Sequence, residues 1–228
     1  MRLSVLLGIA AAVLAILLAA YVAVLRPWHL RWGTTPTEAA ETLPGDGLLE
    51  GNLAQVTRAI TINAPPERIW PWLMQMGQDR GGFYSYTALE NMIGADMPEV
   101  HRLRSNWNAR DLGETVWFAT PKRFKGQGKM IAAIVDPPQA FVMVMPDDWE
   151  RILQSGKGSQ GSWGFVLQPI FVLQPIDADH TRLISRLRSG PPPSLGARIA
   201  GAAFWEPAHF VMERKMLLTI KRLSERTR

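Results

Sequence analysis

The sequence predicts an α+β fold in which an antiparallel sheet is closed by a long C-terminal helix, preceded by one membrane-spanning segment. Three observations predict it. Short runs with strand alternation recur between Val56 and Leu187, separated by turn signals. From about Ser194 to Arg226 the period becomes helical, with Phe204, Ala208, Val211, Met212, Met216, Ile220 and Leu223 on one face. Ahead of both, Leu3 to Leu25 is an uncharged run of 23 residues.

That first run, as a helix, is about 34 Å long, enough to cross a hydrocarbon core of about 30 Å. A cleaved signal peptide is the competing reading. Its apolar core usually spans about 7–15 residues before a small-residue cleavage site. Here the run is longer and leads into bulky Val24-Leu25-Arg26-Pro27-Trp28, so it reads as an anchor. Trp28 and Trp32, with Arg26 and Arg31, form an interfacial belt. The positive-inside tendency leans toward a cytoplasmic domain, and zero cysteines exclude a disulfide framework on either side.

The net charge of +5 is unevenly placed. Residues 1–58 carry four basic and four acidic groups, and residues 59–181 carry 11 and 13. From Arg182 onward there are ten basic and three acidic residues. That basic C-terminal stretch suits either a solvated helix face or anionic headgroups. No basic and aromatic interleaving of a nucleic-acid module occurs.

The chain therefore divides into an anchor and flank (1–32), a connecting arm (33–55) and a ligand-binding domain (56–228). Pro44-Gly45 and Asp46-Gly47 mark turns in the arm, which is expected to lie over the domain. Val56–Ile62 is the first strand. Pro65 and Pro66 open a short Trp- and Met-rich helix, and Pro71 predicts a kink or tight turn within it. Phe83–Ile93 reads as a second helix. Further strands are expected at Thr115–Ala119, Lys129–Val135, Ala140–Met145, Ser162–Ile170 and Thr181–Leu187, with a turn at Asp136–Gln139.

Several phrases resemble a known superfamily. They are Arg26-Pro-Trp-His-Leu-Arg-Trp-Gly33, Leu43-Pro-Gly-Asp46, Ala64-Pro-Pro-Glu-Arg-Ile-Trp-Pro-Trp72, Gln75-Met-Gly-Gln-Asp-Arg-Gly-Gly-Phe-Tyr-Ser-Tyr86 and Glu206-Pro-Ala-His-Phe-Val-Met-Glu213. Together they resemble the START-like (SRPBCC) helix-grip superfamily, and within it bacterial polyketide cyclase/dehydrase-like proteins. The resemblance implies a curved sheet gripping the last helix, with a hydrophobic ligand or lipid held between them. One feature departs from it: Phe165-Val-Leu-Gln-Pro-Ile170 is repeated at once as Phe171-Val-Leu-Gln-Pro-Ile176. Six residues preserve alternation, but each proline lacks a ladder donor. One copy is expected to keep the strand while the other extends or bulges at an exposed end of the sheet.

Strand parity places Trp163, Phe165 and Leu167 on one face, opposes Leu183 and Leu187 to Arg182, Ile184, Arg186 and Arg188, and turns Phe141, Met143 and Met145 inward. The ligand-binding candidates are Arg80, Tyr84, Tyr86, Trp117, Met143, Trp163, Phe165, Leu183 and Met212. Gly77, Gly81 and Gly82 would let the loop bearing Arg80 move as a lid. Arg80 could hold an anionic headgroup, or pair with Asp79 or Glu90. A second reading is a cofactor-free enzyme of the cyclase/dehydratase type, with His209 and Glu206, or Tyr84 and Glu90, as acid and base. A third is a membrane-surface scaffold. Gly156–Gly161 matches a dinucleotide-loop expression but precedes a strand, and the four histidines lack metal spacing, so no metal or cofactor is expected.

Overall fold

The computed structural model describes residues 2–51, 53–159 and 168–226. Helix α1 (Arg2–Ala20) runs through a π turn (Tyr21–Leu25) into α2 (Arg26–Leu30). Ser4–Leu30 is long and apolar enough to cross a membrane, and none of its most apolar stretch is buried against the protein. The arm carries a short helix, α3 (Pro36–Ala40), held by a Thr35–Glu38 capping box.

Six antiparallel strands form the curved sheet in the order β1-β6-β5-β4-β3-β2. They are β1 (Ala54–Ile62), β2 (Thr115–Trp117), β3 (Lys129–Asp136), β4 (Ala140–Val144), β5 (Gln168–Pro175) and β6 (Thr181–Ser189). Gln139 N–H closes the β3–β4 turn on Asp136 at 2.7 Å, as the Pro-Pro pair predicts. The first and last strands pair in full register from Ala54↔Ser189 to Ile62↔Thr181.

Alternation sorts the sheet into two faces. Ile60, Ile62, Met130, Phe141, Met143, Phe171, Leu173 and Leu183 point to the inner layer. There they meet α4 (Pro66–Met74) and the last helix, α8 (Glu206–Arg226), through Trp72, Leu73, Met216, Leu217 and Ile220. On the outer face Ala59, Val142, Ile170, Val172 and Ile184 are covered by Leu43 and Leu48 of the arm. The arm thus completes a third layer, as expected. It also neutralises the outward arginines: Arg186 pairs with Asp46 at 2.5 Å, and Arg182 with Glu38 at 2.6 Å.

Some elements differ from expectation. Helix α4 continues through Pro71: the carbonyl left without a donor belongs to exposed Glu67, and Gln75 N–H still reaches Pro71. Helix α5 is only Thr87–Met92, because Gly82 and Tyr84 adopt positive φ and break the preceding turn. Helix α6 (Pro146–Ser155) was not anticipated, although Pro146 at its start, Asp147 and Asp148 in its first turn and Gly156 after its end are ordinary helix signals.

The hexapeptide seam lies inside β5. Gln168, Pro169 and Ile170 of the first copy and Phe171–Pro175 of the second pair continuously with β6. The strand is central rather than peripheral, so the expected displacement at a sheet end is not seen for this part of the repeat. Phe165, Val166 and Leu167 lie outside the described residues, as does most of the predicted Ser162–Ile170 strand.

The final helix begins earlier than α8, as expected from the sequence. Helix α7 (Leu195–Ala200) passes through a second π turn (Gly201–Trp205) into α8. Its predicted apolar face is only half used. Met216, Ile220 and Leu223 are buried, while Phe204 and Val211 remain exposed.

Candidate functional site

The inner layer contains a charge pair that the alternation itself sets up. Arg58 of β1 and Ser185 of β6 are register partners on the inward phase, beneath α8. Glu213 descends from α8 between them. Its carboxylate pairs with Arg58 and accepts from the Ser185 hydroxyl at 2.6 Å, while His209 Nδ1 lies at 3.3 Å. Arg58 Nε also donates to the His29 carbonyl at 2.8 Å, and its guanidinium stands 5.3 Å over Phe210. Arg58 and Glu213 are both buried. Burial alone would raise the Glu213 pKa, but the Arg58 charge and the His209 and Ser185 contacts outweigh it and bring it to about 2.

This network corrects the proposed acid/base pair. Glu206 does not serve His209; it forms a bidentate pair with Arg26, at 2.7 and 2.9 Å, one turn earlier on the helix. The carboxylate beside His209 is Glu213, at i+4. The pair was readable in principle: Arg58 interrupts the inward apolar phase of β1, and Glu213 shares a helix face with Met216 and Ile220.

A second cluster closes the C-terminal end of α4. Arg80 donates to the carbonyls of Met74 at 3.0 Å and Ala109 at 2.8 Å, and pairs with Glu114 at 2.5 Å. Arg110 donates to Met74 at 2.9 Å, to Met76, and to the same Glu114 at 2.9 Å. Two guanidiniums thus satisfy carbonyls that a helix end leaves free. Burial and the neighbouring Arg80 lower Arg110 to about 10, so it stays charged at neutral pH. The Arg80 donors are engaged with the protein, and its carboxylate partner is Glu114 rather than Asp79 or Glu90. The loop is equally tied, since Gly77 and Gly82 exchange backbone bonds at 2.8 and 3.1 Å.

The remaining candidates fall in two groups. Tyr84, Met143 and Leu183 come together in the inner core. Tyr84 stacks edge-on against Trp72, with centroids 5.9 Å apart. Among the described residues the Trp72 indole N–H has no hydrogen-bond partner, and the buried Tyr84 hydroxyl lies beside Gln75 without meeting it in hydrogen-bond geometry. Burial pushes the Tyr84 phenol well above its usual range.

Nearer the rim, the Ser85 hydroxyl donates to the Met212 carbonyl at 2.8 Å, and Lys215 lies 5.7 Å over Tyr86. Glu90 follows on α5. Burial raises its pKa to about 7, and its Oε2 is buried without a hydrogen-bond partner among the described residues. Trp117 is half-buried at the far edge of the sheet, under Lys129. Trp163 and Phe165 lie outside the described residues.

Among the described residues, two surface depressions of about 510 and 350 Å³ lie along Arg102–Asn106 and along Leu218–Arg226, and neither is lined by the inner face of the sheet.

No protein-family model and no curated protein matches the chain. Its structural neighbours are polyketide-cyclase-like and Aha1-like proteins. A protein of Nitrosomonas europaea shares 12% identity over 76% of this chain and 96% of its own, with a TM-score of 0.43. A polyketide-cyclase-like protein of Corynebacterium glutamicum shares 14% over 76% and 92%, with a TM-score of 0.35. The Aha1 dimer of Colwellia psychrerythraea shares 15% over 74% and 98%, with a TM-score of 0.34.

Proposed function

We propose that this protein is a membrane-anchored binder of a hydrophobic small molecule or lipid, held between the inner face of the sheet and α8. One observation carries the reading: at a methionine-rich layer, Trp72 holds a buried indole N–H without a hydrogen-bond partner among the described residues, and Tyr84 a buried hydroxyl that only lies beside Gln75. Buried donors are nearly always paired, so an apolar ligand carrying a carbonyl or hydroxyl would complete this site. Met74, Met130, Met143 and Met216 line the same layer, and their flexible thioethers can repack around a guest. Uptake requires that rearrangement, with the seam between Ser85 and Met212 as the route in.

Native mass spectrometry of the full-length protein, with extraction of bound lipids and metabolites, tests this directly. A stoichiometric apolar passenger is expected. Tyr84→Phe should keep the fold and retain that passenger about tenfold less tightly, the loss of one hydrogen bond to the ligand. An empty protein that also rejects fatty acids, isoprenoids and aromatic polyketides would overturn the proposal.

The enzyme reading retains one specific support. Glu90, titrating near 7 with an unpartnered oxygen, has the protonation behaviour wanted of an acid/base group. Under that reading Glu90→Gln abolishes conversion of the bound passenger while its binding persists. Equal binding with no conversion by either protein leaves the carrier.

A further inference from the structure

We infer that Leu195–Trp205 is a second membrane-seated element, lying beside the anchor with its apolar side chains in the adjoining leaflet of a lipid bilayer. The inference is independent of the ligand reading and starts from how the first and last helices meet. The Tyr21 hydroxyl donates to the Ala202 carbonyl, Arg26 binds Glu206, and Trp28 and Trp32 stack against Phe210 at 5.3 and 6.1 Å. The contacts advance in the same direction on both helices, with sequence separations of 181 and 180 for the first two. The helices therefore run parallel.

The level of the membrane follows from the anchor. Arg26, with Trp28, is where its uncharged run ends, and Trp28 is 54% exposed. A Trp and Arg belt of this kind sits at the headgroups. Everything on the last helix before Glu206 then lies on the bilayer side of the Arg26–Glu206 pair. Those 11 residues reach up to about 16 Å, about half of a hydrocarbon core.

The composition fits that surrounding. Gly190–Trp205 contains no acidic residue and a single charge, Arg198, whose long stem can carry its head to the lipid phosphates. Leu195, Ile199 and Phe204 are 60–62% exposed. Even the helix start is suited to apolar surroundings, where unmet backbone donors are costly. Pro191, Pro192 and Pro193 have no N–H, and the Ser194 hydroxyl accepts from Ala197 N–H at 3.1 Å. By contrast, the basic C-terminal end is engaged with the domain through Lys221, which binds the Thr61 carbonyl and Glu225 at 2.7 Å each.

The chain has no cysteine, so single-cysteine labelling carries no background. Ile199→Cys and Phe204→Cys would each carry a polarity-sensitive fluorophore in the full-length protein. Leu153→Cys, at an exposed apolar site on α6, is the reference. The proteins are reconstituted in phosphatidylcholine/phosphatidylglycerol vesicles with or without brominated acyl chains. Labels at 199 and 204 are expected to shift to the blue and lose about half of their emission to bromine, as a group seated in a leaflet does, while that at 153 does neither. Equal, weak quenching at all three sites would overturn the inference. So would a blue shift without bromine quenching together with crosslinking between copies, which would assign the face to a second chain.

Discussion

Burial would keep the Glu213 carboxyl protonated, yet Arg58, His209 and Ser185 hold it ionised far below the ordinary carboxylate range. A depressed folded-state pKa contributes stability above the unfolded value, and that contribution fades as pH falls through the folded one. Acid should therefore weaken the domain between about pH 4.5 and 2, read as a falling urea midpoint. Glu213→Gln leaves Arg58 buried without its counter-charge and should cost about 3–5 kcal/mol at pH 7. Glu90 has the opposite sign. Its raised pKa means the unfolded chain loses its proton first, so this residue lowers stability as pH climbs from about 4.5 to 7. Glu90→Gln is expected to raise the urea midpoint at pH 8 and leave it unchanged at pH 4.

At the scale of elements, the arm is fastened by backbone as much as by charge. Trp32 accepts from Ala59 N–H at 3.1 Å, and Gly33 follows at φ +78°. A Cβ there would overlap the Ala59 carbonyl oxygen, so Gly33→Ala should destabilise the domain by about 1–3 kcal/mol, seen as a lowered melting temperature. The strands were most legible where period-2 alternation survives, in β1 and β6, and the opposition of Leu183 to Arg182, Ile184 and Arg186 is realised across the two faces, whereas a bulge between Ala132 and Ile134 shifts the phase of β3. The helices were less so. The helix expected from Phe83 begins only at Thr87, since positive φ at Gly82 and Tyr84 breaks the turn before it. Helix α6 was obscured by the neighbouring glycine-rich loop. The site was least legible, because Glu206 and Glu213 flank His209 at comparable helical spacing. Arg26 holds Glu206 and Arg58 holds Glu213, and both arginines are distant in sequence from His209.

For the whole molecule, the Arg26–Glu206 pair couples the apolar N-terminal helix to the helix that closes the sheet. Removing it by Arg26→Ala should loosen the exposed first half of that helix and spare the packed second half. Half-exposed ion pairs contribute up to about 1 kcal/mol, so amide exchange across Leu195–Trp205 should quicken by about fivefold. Exchange across Met216–Leu223, buried against the sheet, should hold its rate. Uniform acceleration along the helix would mean that the pair supports global stability rather than local order.

The pairing of β1 with β6, and of the N-terminal helix with α8, has a consequence for biosynthesis. Roughly 160 residues separate the end of β1 from the end of α8, so at about 5–20 residues per second the ribosome needs about 8–30 s to supply the missing partners. During that interval β1 lacks its β6 partner and Arg58 awaits Glu213, while the apolar N-terminal helix is already synthesised. Synthesis of that helix therefore precedes closure of the domain. A nascent chain stalled before Glu206 should be protease-sensitive throughout β1, and one released after Arg226 should resist cleavage there.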